Sequence, residues 1–159
     1  MHRIICKLSK PTTTYFSLFD LQLKYTLDFK SLENKYKEIQ KDIHPDKFHN
    51  FSLKERENSE LVTRHINEAY SVLKDDKKRA KYILNIKGIT DISSKVSLED
   101  IFELNEKVEN NELDEGYIND KIKEIKLNFS TSLEEEDLLK AKKYFSLLSY
   151  YENIQKKFI

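Results

Sequence analysis

The residues best equipped for chemistry are His44, Pro45 and Asp46, followed at once by Lys47. They set an ionisable imidazole, a rigid ring and a free carboxylate in three consecutive positions. The carboxylate can accept a charge-assisted hydrogen bond from a cation. The proline supplies no backbone donor and drives the residue before it out of the helical region, so the run ends whatever helix precedes it. Two readings stay open on these residues alone: a polar turn in which Asp46 bonds to its own backbone, or a recognition loop presented to solvent. Nothing else in the chain gathers a reaction centre. His49 lies five residues beyond His44, and His65 falls in a separate predicted helix, so no histidine or carboxylate set has metal-ligand spacing. Acid pairs such as Glu135-Glu136 lack the apolar surroundings that raise a carboxyl pKa for general-acid work, and read as a solvated helix start. There is no glycine-rich phosphate loop. The chain is therefore expected not to be an enzyme and to carry no cofactor or metal.

The flanking elements decide how the run is presented. Asp28 is a predicted N-cap, and from Phe29 to Ile43 apolar residues fall at Leu32, Tyr36, Ile39 and Ile43, one helical stripe. After a loop from Lys47 to Leu53, a second long helix is predicted from Lys54 to Leu73, with the stripe Leu61, Ile66, Ala69, Tyr70 and Leu73. The pair reads as an antiparallel helical hairpin with His44-Pro45-Asp46 at its tip. A short helix at Tyr15 to Leu21 precedes it. Asp75-Asp76 punctuates, Lys77 to Ile86 resumes a helical pattern, and Gly88 is a suitable left-handed stop. Three more helices are predicted beyond a linker: Ser97 to Asn110, Tyr117 to Phe129, and Glu134 to Phe158. No strand-like alternation competes. The fold class is all-α: a helical hairpin with short flanking helices, then a three-helix bundle.

Composition agrees. Only two Gly and two Pro occur in 159 residues, which favours long helices. Net charge is zero, yet residues 1–94 hold 18 basic against 13 acidic side chains, and residues 95–159 hold 10 against 15. The halves are expected to face different partners. Cys6 is the single cysteine, which excludes an internal disulfide and a cysteine zinc cluster. No apolar run approaches the roughly 20 residues that span a bilayer, and neither a membrane nor a nucleic-acid partner is expected. Residues 1–14 carry Arg3, Lys7 and Lys10 with no acid before Asp20, which suits a basic tail or an organelle presequence.

The hairpin residues resemble the J domain of the DnaJ family. Tyr36-Lys37 stands at the family's distance before His44-Pro45-Asp46. Ile66-Asn67-Glu68-Ala69-Tyr70-Ser71-Val72-Leu73 is similar to its second long helix, and Arg79 and Tyr82 fall where it places an arginine and an aromatic. The opening Tyr15-Phe16-Ser17-Leu18-Phe19, the extension to Lys47-Phe48, and Arg79-Ala80-Lys81-Tyr82-Ile83-Leu84 running toward a glycine narrow the resemblance to the HscB branch. Members of that branch append an acidic three-helix bundle, and Glu112-Leu113-Asp114-Glu115 is similar to its glutamate-rich helix end.

The resemblance implies an N-terminal J domain at 15–88, a linker at 89–97 and a three-helix client-binding domain at 98–159. It implies a DnaK-class chaperone ATPase as one partner, bound through His44, Pro45, Asp46, Tyr36, Lys37, Lys41 and Lys47. It implies an IscU-type iron–sulfur cluster scaffold as the other, bound through Leu104, Val108, Glu109, Glu112 and Tyr150. Helical spacing alone equally allows Leu104 and Val108 to be bundle core. The basic face is diluted, since four Lys between Asp28 and Ile43 meet two Asp and two Glu. The implied place is the matrix of a mitochondrion or related organelle, otherwise the cytoplasm. Two other readings remain: a J protein with another client, and a structural adaptor that does not stimulate an ATPase.

Overall fold

The computed structural model describes residues 14–43, 53–91, 101–102, 104, 106–107, 110 and 114–156. Every regular element among them is helical. The chain divides into two compact units, 1–79 and 80–159.

The first unit opens with α1 (Tyr15–Leu18). Thr14 caps it: the Thr14 hydroxyl accepts from the Ser17 amide at 3.2 Å, and the Thr14 amide donates to the Ser17 hydroxyl at 3.0 Å. This reciprocal box lets a single turn hold Phe16 and Leu18 in the core. Helix α2 (Phe29–Ile43) starts where Asp28 accepts from the Lys30 amide at 3.0 Å, as its sequence predicts. Leu32 and Ile43 are fully buried, and Tyr36 and Ile39 half-buried. Helix α3 (Leu53–Lys74) packs against both α1 and α2.

One assignment on α3 changes. Leu61, expected in the buried stripe, is 57% exposed, while Ser59 is buried with Ile66, Ala69 and Leu73. Leu61 precedes Ile66 by five residues, which sets it roughly 140° round the helix from Ile66. Helix α4 (Asp76–Ile86) begins at Asp75, whose carboxylate accepts from the Lys78 amide at 2.8 Å. It ends in a Schellman motif: the Ile89 amide reaches the Leu84 carbonyl, the Gly88 amide reaches that of Asn85, and Gly88 takes φ 88°.

Arg79 ties the first unit together. It is 2% exposed, and its guanidinium donates to the carbonyls of Tyr25 at 2.8 Å and Leu73 at 2.6 Å and to the Asp76 carboxylate. Its cationic carbon lies 5.0 Å from the Tyr25 ring centre and 5.2 Å from that of Phe29. A charge so buried is tolerable because its donors are matched and aromatic faces enclose it.

In the second unit α5 (Glu115–Glu134) and α6 (Leu138–Gln155) pack against each other as an antiparallel pair. Ile118, Ile122, Ile125 and Phe129 of α5 and Ala141, Phe145, Leu148 and Ile154 of α6 are buried. The far end is tied by Gln155 donating to Asn119 at 2.6 Å. The buried hydroxyls of Ser132 and Ser146 bond back to the carbonyls of Asn128 and Lys142. The turn corrects a sequence reading. Glu135-Glu136 does not start a helix: Glu135 caps α5 and Glu136 takes φ 57°. Asp137 then caps α6 by accepting from the Lys140 amide at 3.0 Å. Residues 101, 102, 104, 106 and 107 are also helical, within the span expected from Ser97 to Asn110.

Candidate functional site

The first candidate surface is the face of the α2–α3 hairpin. Helix α2 ends at Ile43 and α3 begins at Leu53, so residues 44–52 join them. His44, Pro45, Asp46 and Lys47 lie in that join, outside the described residues. Ile43, 1% exposed, anchors its near end in the core.

Of the other chaperone-contact candidates, Lys37 and Lys41 are exposed and Tyr36 is half-buried. Lys37 donates to Glu33 at 2.8 Å, one turn back along α2. This hydrogen bond and the lysine charge pull the Glu33 carboxyl below its ordinary value, while the Glu33 partner raises Lys37. Glu33, one of the four acids that dilute the basic face, is therefore paired with one of its bases.

Tyr36 is held from the other helix. Its hydroxyl donates to the Asn67 carboxamide oxygen at 3.0 Å, and Gln40 donates to the same oxygen at 2.6 Å. Its ring stacks on Tyr70 with centres 4.0 Å apart and planes at 15°. Lys74 lies 5.6 Å from the Tyr70 ring centre. Sequence reading placed Tyr70 in the buried stripe and gave Asn67 no role. Asn67 lies one residue after buried Ile66, on the margin where α3 meets α2, and that flanking position was its signal.

The second candidate surface is a groove of about 250 Å³ in the second unit. Leu104, Ile125 and Leu147 line it with Tyr117, Tyr144, Tyr150 and Tyr151. Leu104 and Tyr150, two of the expected client contacts, are thus brought to one place from separate helices. Leu104 is 3% exposed and belongs to the core with Ile118, Ile122 and Leu148, and Tyr150 packs against that cluster. Val108, Glu109 and Glu112 lie outside the described residues. Lys107 and Lys121 stand at the groove, 5.6 and 6.0 Å from the Tyr117 ring centre. Lys121 bonds to Glu124 at 2.8 Å, which raises its pKa. Two residues before Leu104, Phe102 is 73% exposed. Its offset of about 200° from Leu104 places it on the outer face, where an apolar stripe gives it no part.

Among the described residues no group of three His, Cys, Asp or Glu side chains could hold a metal ion. Among the same residues no helix is long and apolar enough to cross a membrane.

The DnaJ domain model matches residues 18–82, which span the α2–α3 hairpin and the first part of α4. Along its length the chain is similar to the human iron–sulfur cluster co-chaperone protein HscB, 31% identical over 160 residues that cover 92% of this chain and 68% of the human one. The fold is similar to the crystal structure of human co-chaperone protein HscB, with a TM-score of 0.77 over 94% of this chain and 82% of that one, at 31% identity. The chaperone HscB from Vibrio cholerae shares the fold, with a TM-score of 0.76 over 91% of this chain and 95% of its own, at 24% identity. With a J domain at its N-terminus and this similarity over nearly its whole length, the chain belongs to the HscB family of J-domain co-chaperones of iron–sulfur cluster assembly.

Proposed function

We propose that the chain stimulates ATP hydrolysis by a DnaK-class chaperone and delivers an IscU-type scaffold to it, with no catalytic group of its own. Residues 15–88 form the J domain, 89–97 the linker and 98–159 the client domain. The observation that carries the reading is the hairpin: two long helices whose join contains His44-Pro45-Asp46, in a chain of this family.

Asp46 accepts a charge-assisted bond from a partner cation, and Pro45 limits the order lost on docking. Tyr36, Lys37, Lys41 and Lys47 extend the contact, with the lysines steering toward an acidic surface. The loop acts by binding the hydrolysis-competent state of the partner more tightly than its other state.

The scaffold docks on the second unit. The groove that joins Leu104 to Tyr150 supports this, as does the exposed ring of Phe102. Val108, Glu109 and Glu112 complete the client set. Leu104 contributes from the groove wall, given its burial. The basic residues 1–14 and the eukaryotic relatives favour a mitochondrial or mitochondrion-related matrix. A fluorescent fusion with and without residues 1–14 checks the location.

The function is tested by single-turnover ATP hydrolysis with purified DnaK-class ATPase and either wild type or His44→Gln. Wild type should accelerate hydrolysis and His44→Gln should not. Rates at baseline with both would reject the proposal.

A further inference from the structure

We propose that Asn67 and Tyr70 of α3 are positioning residues for the ATPase contact, holding Tyr36 and Gln40 of α2 as a preformed docking edge on the solvent side of the hairpin. This rests on the reading of Tyr36 and its neighbours as chaperone contacts.

The geometry is specific. One exposed carboxamide oxygen, that of Asn67, takes hydrogen bonds from two side chains of the facing helix, at 3.0 Å from Tyr36 and 2.6 Å from Gln40. Tyr70 covers one face of the Tyr36 ring at 4.0 Å. Lys74 in turn stands 5.6 Å over Tyr70. Gln40 lies one turn beyond Tyr36 toward residues 44–52, so the held edge runs along α2 toward the loop.

The hairpin core does not depend on this cluster. Leu32, Ile43, Ile66, Ala69 and Leu73 close it, each no more than 1% exposed. Hydrogen bonds at an exposed site exchange with water and add little net stability. Their larger effect is order. A tyrosine and a glutamine fixed before docking lose less freedom on docking, which tightens binding without changing the bound state. Tyr36 suits this use, because one rigid ring supplies both apolar area and a polar tip. The order also offsets the loss of steering on α2, where Glu33 already engages Lys37.

The test titrates full-length protein into single-turnover ATP hydrolysis by a purified DnaK-class ATPase, at physiological ionic strength, with melting temperatures recorded alongside. Asn67→Ala should raise the concentration giving half-maximal stimulation roughly fivefold and leave the saturating rate near wild type. Tyr36→Phe, which removes one of the two donors, should give part of that shift. Asn67→Asp, whose carboxylate accepts both bonds, should return the half-maximal concentration to within about twofold of wild type. A merely structural role would lower the melting temperature without moving the half-maximal concentration measured far below it. Wild-type titrations for Asn67→Ala and Tyr36→Phe, or equal losses in Asn67→Ala and Asn67→Asp, would overturn the proposal. If wild type stimulates, His44→Gln does not, and Asn67→Ala matches wild type, only the positioning role fails. If wild type does not stimulate, the chaperone reading fails and takes this inference with it.

Discussion

Arg79 and Phe129 hold comparable places in the two units, each almost fully buried, but by different forces. Arg79 is fixed by three acceptors and two aromatic faces. Phe129 belongs to an apolar face that α5 repeats at Ile118, Ile122 and Ile125. The first unit thus adds a polar staple to its apolar core, and its hairpin face carries a tyrosine pair, an asparagine and lysines. The second closes through a long apolar seam, and one of its candidate contacts, Leu104, belongs to that core. On the proposed assignments, chaperone contact falls on residues outside the hairpin core, whereas client contact includes Leu104, which is itself core.

The largest effects should come from the two anchors. Arg79→Leu strands two carbonyls and a carboxylate and should cost about 3–5 kcal/mol, read by urea unfolding. Phe129→Ala should cost about 3–5 kcal/mol through its cavity. The conservative changes separate the forces. Phe129→Leu should lose far less than Phe129→Ala, whereas Arg79→Lys cannot reproduce the fork of donors and should remain severe. Equal tolerance at both sites would break the comparison.

In the second unit Leu104 and Phe102 are neighbours with opposite exposure, 3% and 73%. Leu104→Ala should lose about 2–5 kcal/mol of stability. Phe102→Ala should change stability by less than about 0.5 kcal/mol. It should weaken binding of a purified IscU-type scaffold at least about fivefold by calorimetry, as expected for an aromatic contact. Unchanged affinity would remove Phe102 from the client surface.

The acidic turn gives a smaller, pH-dependent effect. The Lys140 backbone amide, then its side chain, hold the Asp137 carboxyl below its ordinary value. The folded value is thus the depressed one, so the cap is complete at neutral pH and is lost as pH falls through that lowered value. Asp137→Ala should reduce the melting temperature slightly near neutrality, and the difference should close in acid. The smallest effect belongs to Glu33→Gln. Releasing Lys37 should raise the association rate with an acidic ATPase surface by about twofold at low salt and hardly at all at high salt.

Legibility in the sequence followed the same division. The stripe on α2, the Asp28 cap and the Gly88 stop were readable because period and cap chemistry are local. The His44-Pro45-Asp46 run stood out by its residue types alone, and it lies outside the described residues. The α5–α6 turn was hidden: Glu136 takes a left-handed backbone that Gly or Asn normally signals. Leu61 was misassigned because leucine type outweighed its angle from Ile66. Phe102 was passed over because it lies two residues, about 200°, from Leu104 and so falls off the apolar stripe. The Asn67 bonds to Tyr36 and Gln40 were invisible because they span 31 and 27 residues.

The central claim is that one chain couples the two partners. Its most direct test is the single-turnover hydrolysis rate of the DnaK-class ATPase with the chain alone, the IscU-type scaffold alone, and both. The rate with both should clearly exceed the sum of the separate accelerations. A rate no greater than that sum would contradict the claim.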